Sequence, residues 1–287
     1  MSTPAPARFQ RVMRGREVVA LSFGAMIGWS WVLMTGHWVT TAGSLGTSIA
    51  FAAGGLAIAL VGLTYSELAS AMPRAGGEHI YTHRALGREW SFVCTWALLF
   101  AYANVCLFEA VALPTALEFL IPEIRFHTLW RVLGADVDLG FVLVGAGGAL
   151  LMTWVNVRGI RPAAVLQTTV TALIVVAGAA LIVGAGFNGS LANAQPLVAA
   201  PASGILVVLI MVPSMLVGFD VIPQSAEEID LPPSRIGLLL VVSVFCAVAW
   251  YILIAFAAAV ALPRRRRRPT TTSAATTCTF WKSTSNR

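Results

Sequence analysis

Two stretches of this 287-residue chain put glycine, serine or a carboxylate inside membrane-length apolar runs. The first is Gly24-Ala-Met-Ile-Gly28-Trp29-Ser30-Trp31. The second is Val217-Gly218-Phe219-Asp220, bracketed by Pro213 and Pro223. A helix interrupted at either place frees backbone N–H and C=O groups, which hydrocarbon tolerates only where they are buried in protein or line a cavity. The N–H groups that open the second half-helix sit at the positive end of its dipole and hold a carboxylate without a buried cationic side chain. Freed carbonyls face a cation or an amine, so the pair of breaks suits a zwitterion. Gly24-x-x-x-Gly28 also has a plain packing meaning, since small residues four apart let two membrane helices approach closely. Phe219 reads equally as a side chain that closes over a solute or as ordinary helix packing.

Two ionisable residues lie well inside apolar runs, Glu109 in the third and Asp220 in the sixth. Burying either is costly, which makes both candidates for proton or ion coupling. No Gly-rich phosphate loop, nucleophile elbow or His-Glu-x-x-His is found, and His37, His79, His83 and His127 are dispersed, so the chain does not read as an enzyme. Cys94, Cys106, Cys246 and Cys278 show no Cys-x-x-Cys spacing. We expect no metal site, no disulfide framework and no cofactor.

The elements that must position these residues follow from composition. The chain is 57% hydrophobic and 11% charged, outside the range of soluble domains. Apolar runs cover residues 18–40, 47–71, 90–121, 139–157, 163–186, 204–226 and 237–262, each long enough to cross about 30 Å of hydrocarbon as a helix. The third exceeds one span, and Pro114 near its end is a place to kink. The first run is too long for a signal peptide h-region and serves as its own signal.

Lys and Arg placement orients the spans. Arg8, Arg11, Arg14, Arg16, Arg74, Arg84, Arg88, Arg158, Arg161 and Arg235 fall on one side, against Arg125 and Arg131 on the other, which puts the N-terminus in the cytoplasm. The net charge of +6 comes from the tail, where Arg264 to Arg268 precede a Thr- and Ser-rich string. It therefore does not indicate nucleic-acid binding. The expected organisation is a cytoplasmic tail at 1–17, a transmembrane domain at 18–262 and a low-complexity basic tail at 263–287. Seven spans send that tail outside, against the rule the loops obey. It reads either as a native disordered tail or as sequence that is not the original continuation after Leu262.

Short stretches in consistent order carry a resemblance: Gly24-Ala-Met-Ile-Gly28, Tyr65-Ser-Glu-Leu68, Met72-Pro-Arg-Ala-Gly-Gly-Glu-His-Ile-Tyr81, Gly218-Phe-Asp220 and Glu227-Glu228. With them the chain resembles an amino acid permease of the amino acid, polyamine and organocation (APC) superfamily, up to Leu262. The resemblance implies an all-α membrane protein with the LeuT-type inverted-repeat helical bundle, incomplete here at about seven transmembrane helices. It implies a substrate site lined by the backbone of Ile27, Gly28 and Ser30, with Gly218 and Phe219 on the opposite wall. The family commonly has a small residue and then glycine after the position of Gly28, where this chain has Trp29 and Ser30. It also implies that Pro73 to Glu78 forms an architectural, gating loop, and that Glu227, Glu228 and Asp230 either pair with Arg74 or Arg84 or are solvated loop charges. Some relatives place a lysine amine in the fifth helix, but residues 163–186 contain no Lys or Arg, so H+ and Na+ both stay open as coupling ion.

The expected function is secondary active transport of amino acids across the cytoplasmic membrane by alternating access, with an amino acid substrate and the lipid bilayer as partners. The oligomeric state is not indicated. Ten core helices are expected of the complete fold, so a chain truncated after its seventh helix is expected not to transport alone. The alternative is a membrane fragment with only a structural, interaction or receptor-like role.

Overall fold

Seven apolar runs become five continuous helices and two broken ones. In the computed structural model the described residues are 14–72, 74–132, 135–225, 227 and 229–262. The expectations for Arg8 and Arg11, for Glu228 and for the tail from Pro263 lie outside them.

The first run folds as α1 (Gly15–Met26) and α2 (Ser30–Ala42), interrupted at residues 27–29. Then come α3 (Ser44–Ala71), a short α4 (Glu78–Leu86) and α5 (Arg88–Glu118). A hairpin of β1 (Thr128–Val132) and β2 (Ala135–Asp138) leads to α6 (Leu139–Val157) and α7 (Ile160–Asn188). The sixth run gives α8 (Ser203–Met215) and the single turn α9 (Val221–Gln224), and α10 (Pro233–Ala261) is the seventh. Helices α3, α5, α6, α7 and α10 are long and apolar enough to cross a membrane, whereas α8 is not. α5 runs unbroken through Pro114 for 31 residues.

Burial separates the helices by role. About half of the apolar window of α10 and 44% of that of α3 is buried, against 6% for α5 and 11% for α6. The large side chains of α5 and α6, such as Phe100, Leu107 and Leu150, are therefore presented outward, as lipid-facing surfaces are.

The chain forms two compact units, each gathered from separate stretches. The first takes the residues up to Ile27, with Ala52–Phe100 and Met211–Trp250. Its core sets Met26, Leu216, Ile222 and Leu240 beyond the reach of solvent. Small residues on α3 bring helices close: a Cβ on Gly55 would lie 2.3 Å from Val248 Cγ2, and one on Gly54 2.7 Å from Val212 Cγ1. The second unit takes Gly28–Phe51, Ala101–Ile210 and the residues from Tyr251 on. Its centre is aromatic. Trp38 meets Phe51 edge-on at 4.9 Å between centroids, and Phe51 stacks on Tyr251 at 5.0 Å.

The hairpin was not expected from the sequence, which reads there as a plain loop. Its strands pair Trp130 with Val137, Arg131 with Asp136 and Val132 with Ala135. Arg131 and Asp136 form an ion pair directly across the ladder. Arg125 bonds both Glu118 and the buried Asp138 and lies 4.5 Å over the Phe141 ring. These hydrogen bonds hold its guanidinium above the usual arginine range, Glu118 contributing most. The two basic residues that stand against the charge bias are thus both neutralised by acids beside them.

Candidate functional site

Both helix interruptions expected from the sequence are present, and each has its own chemistry. In the first unit α8 stops at Met215 and the chain turns through Gly218, whose φ of +122° lies in the region that favours glycine. Space enforces the same choice, because a Cβ there would sit 2.8 Å from the Ala25 Cβ and 3.0 Å from its carbonyl carbon. The Gly218 N–H donates to Asp220 Oδ1 at 3.1 Å, and Gln224 Nε2 donates to Asp220 Oδ2 at 3.1 Å. Asp220, only 8% exposed, therefore ties the break to the turn that follows it. Phe219 meets Tyr65 edge-on at 5.5 Å, and Tyr65 in turn meets Tyr81 at 6.5 Å.

The loop before α4 closes on this segment. Gly76 and Gly77 both have positive φ, the Gly76 N–H reaches Gln224 O at 3.4 Å, and the Ala75 N–H donates to Glu227 Oε1 at 3.2 Å. Glu227 thus binds loop backbone, and among the described residues no ion pair joins it, Asp230 or Arg235 to Arg74 or Arg84. Glu78 is buried and accepts from Gln224 Nε2 at 3.4 Å. Burial pushes its carboxyl above the usual range, partly opposed by hydrogen bonds to it. Burial and the neighbouring Glu78 push the Tyr81 hydroxyl up to about 12.

Of the residues expected at the first break, Ile27 belongs to the first unit. It is fully buried, and its N–H still bonds Phe23 O at 3.0 Å, so its backbone donor completes α1 and is not free for a ligand. Gly28 and Ser30 belong to the second unit, where α2 restarts with Val32 N–H bonded to Trp29 O. The first N–H groups of α2 have no carbonyl one turn earlier in their own helix. A Cβ on Gly28 would lie 2.7 Å from Glu109 Oε1, so the glycine makes room for that carboxyl. Ser30 Oγ is 3.2 Å from the Tyr251 hydroxyl, and both residues are buried.

The second unit therefore brings together Gly28, Ser30, Glu109 and Tyr251, and the first brings together Gly218, Phe219, Asp220, Tyr65 and Gln224. Sequence reasoning had not singled out Tyr251 or Gln224. The available signal for Tyr251 was that it is one of only two hydroxyl-bearing residues in the seventh run, with Ser243. For Gln224 it was the i, i+4 spacing from Asp220, which puts two polar side chains on one helical face.

Comparison with known proteins bears on what these breaks belong to. The family model described as "Amino acid permease" matches residues 17–285. Amino-acid permease RocC of Bacillus subtilis (strain 168) is 26% identical over 262 residues, 88% of this chain and 54% of that protein. Cationic amino acid transporter 4 of Homo sapiens is 23% identical over 273 residues, 88% of this chain and 41% of that protein. Branched-chain amino acid permease BcaP of Bacillus subtilis (strain 168) is 24% identical over 253 residues, 85% and 54%. The chain spans about half the length of these curated relatives. A match across nearly all of the chain, to a family whose members are permeases and not enzymes, shows that this multi-pass membrane protein belongs to the amino acid permease family of the APC superfamily.

Proposed function

We propose that the chain serves amino acid transport across the cytoplasmic membrane by alternating access, with its N-terminus in the cytoplasm. The observation that carries this reading is the pair of interruptions at Gly28 and Gly218, each at a glycine that a side chain would displace. The backbone at Gly28 and Ser30 and that at Gly218 and Phe219 are the substrate-binding segments, with Ile27 contributing its carbonyl because its N–H completes α1. Glu109 and Asp220 are the proton or ion coupling candidates. Glu109 suits the part better, because Asp220 already holds the Gly218 N–H and Gln224.

A neutral or cationic amino acid fits better than an acidic one. The Glu109 carboxyl lies against Gly28, and the described part of the sixth run has no Lys or Arg. The test is uptake of radiolabelled leucine, arginine and aspartate into proteoliposomes containing the full chain. Uptake above empty vesicles, abolished by Gly28→Leu, supports the reading. The Glu109 carboxyl beside Gly28 also suits a second, receptor-like reading, in which the chain binds substrate without moving it. Substrate-dependent thermal stabilisation with no uptake supports that second reading, and absence of both overturns both.

A further inference from the structure

A groove of about 380 Å3 lies between α4 and the start of α5, lined by His79, His83, Arg88, Ser91, Phe92 and Thr95. None of these serves the breaks described above. Two hydroxyls gather around His79. Ser91 Oγ donates its single proton to His79 O at 2.9 Å, and Thr95 Oγ1 donates to Ser91 O at 2.8 Å. Both hydroxyl oxygens also lie 2.9 Å from His79 Nδ1. His83 stacks on His79 at 6.4 Å with an interplanar angle of 20°.

Three features select the ligand. The charged and titratable groups lining the groove are His79 and His83 from one helix and Arg88 from the other, and no carboxylate is among them. Glu78 and Glu89 adjoin His79 and Arg88 in sequence, but neither lines the groove. Arg88 opens a span, which puts the groove at the polar end of a membrane-crossing helix. Phe92 in the lining and Trp90 and Trp96 on the same first turns of α5 are 59–64% exposed, an aromatic girdle of the kind found at a membrane–water interface.

We propose that this groove binds a phosphate group, with the Arg88 guanidinium as the fixed cation and the two stacked imidazoles as donors. Each imidazole can offer a ring N–H to a phosphate oxygen. An anionic lipid headgroup and free phosphate share this chemistry.

The experiment is native mass spectrometry of the full chain released from detergent, with phosphatidylglycerol, diacylglycerol or inorganic phosphate added at neutral pH. Phosphatidylglycerol adducts should exceed diacylglycerol adducts and should fall about tenfold in Arg88→Gln, the loss of one charge-assisted contact. Exposed His83→Glu provides a second variant whose folding does not depend on Arg88, and it should abolish the adduct. Competition by millimolar inorganic phosphate identifies the free anion as ligand, and its failure to compete identifies the lipid. Equal binding of phosphatidylglycerol and diacylglycerol, or adducts unchanged in both variants, overturns the proposal. None of these outcomes depends on transport.

Discussion

Gly28 and Gly218 are constrained by different neighbours, and their substitutions should behave differently. Gly28 abuts the flexible end of the Glu109 side chain, which can swing aside, so Gly28→Ala should keep the fold and change function. Its melting temperature in detergent should stay within a few degrees of the parent while any uptake or substrate stabilisation falls. A large loss of stability would show that the position is only a packing site. Gly218 abuts backbone and has positive φ, so Gly218→Ala should destabilise by about 2–4 kcal/mol, read as a lower melting temperature. Glu78 adds a pH dependence. Its folded value is raised above the ordinary 4.5, so its contribution is present below that pH and is lost as pH rises through the raised value. Glu78→Gln should therefore raise the melting temperature at pH 7.5, with a gain that shrinks toward pH 4.5. A gain confined to low pH would refute the assignment. These residues were legible to different degrees: glycine inside an apolar run signals a break, whereas the partner across the gap is fixed by packing. Glu109 was visible as a costly carboxylate, but its seat beside Gly28 was not.

At the scale of elements, the helices were legible because a bilayer demands long apolar runs and backbone hydrogen bonds made within each segment. The division of the first and sixth runs was also legible, from Gly28 and from Pro213, Gly218 and Pro223. The β1–β2 hairpin was not. β1 is exposed and both strands are short, and the hairpin's stability comes from specific pairs, Arg131 with Asp136 and Arg125 with Glu118 and Asp138, which no periodicity announces. Arg125→Ala leaves the buried Asp138 without its cation, though Thr128 still donates to it. Because Arg125 is about a third exposed, the expected cost is modest, about 1–2 kcal/mol. Differential scanning fluorimetry at low and high salt checks it, since the loss should shrink as salt screens the parent pair. The short α4 was read only as part of a tight loop. Gly76 and Gly77 make the turn that lets it form, and the turn docks on the backbone of Gln224.

The molecule as a whole is a multi-pass membrane protein in which α5 and α6 are mostly exposed and about half of α3 and α10 is buried. The proposed orientation follows from arginines in loops, and it predicts which side each loop faces. In intact cells a membrane-impermeant maleimide should label Glu123→Cys in the segment before the hairpin and should leave Arg84→Cys unlabelled until the membrane is opened. The reverse pattern would invert the topology.

The interruptions also bear on how the chain enters a membrane at all. α1 has 12 residues, and α2 and α8 have 13 each, so none of them alone covers the hydrocarbon thickness. A translocon that partitions segments one at a time would accept Arg235–Ala261 readily and would hold Ser203–Met215 with its broken sequel poorly. The sixth segment must then wait at the channel until earlier helices shelter its freed backbone groups. The same breaks that suit a solute site make insertion of that region depend on helices already made. In a glycosylation-mapping assay, residues 203–224 placed in a neutral host should insert far less efficiently than residues 235–261. Their insertion should improve when the preceding helices of this chain are restored.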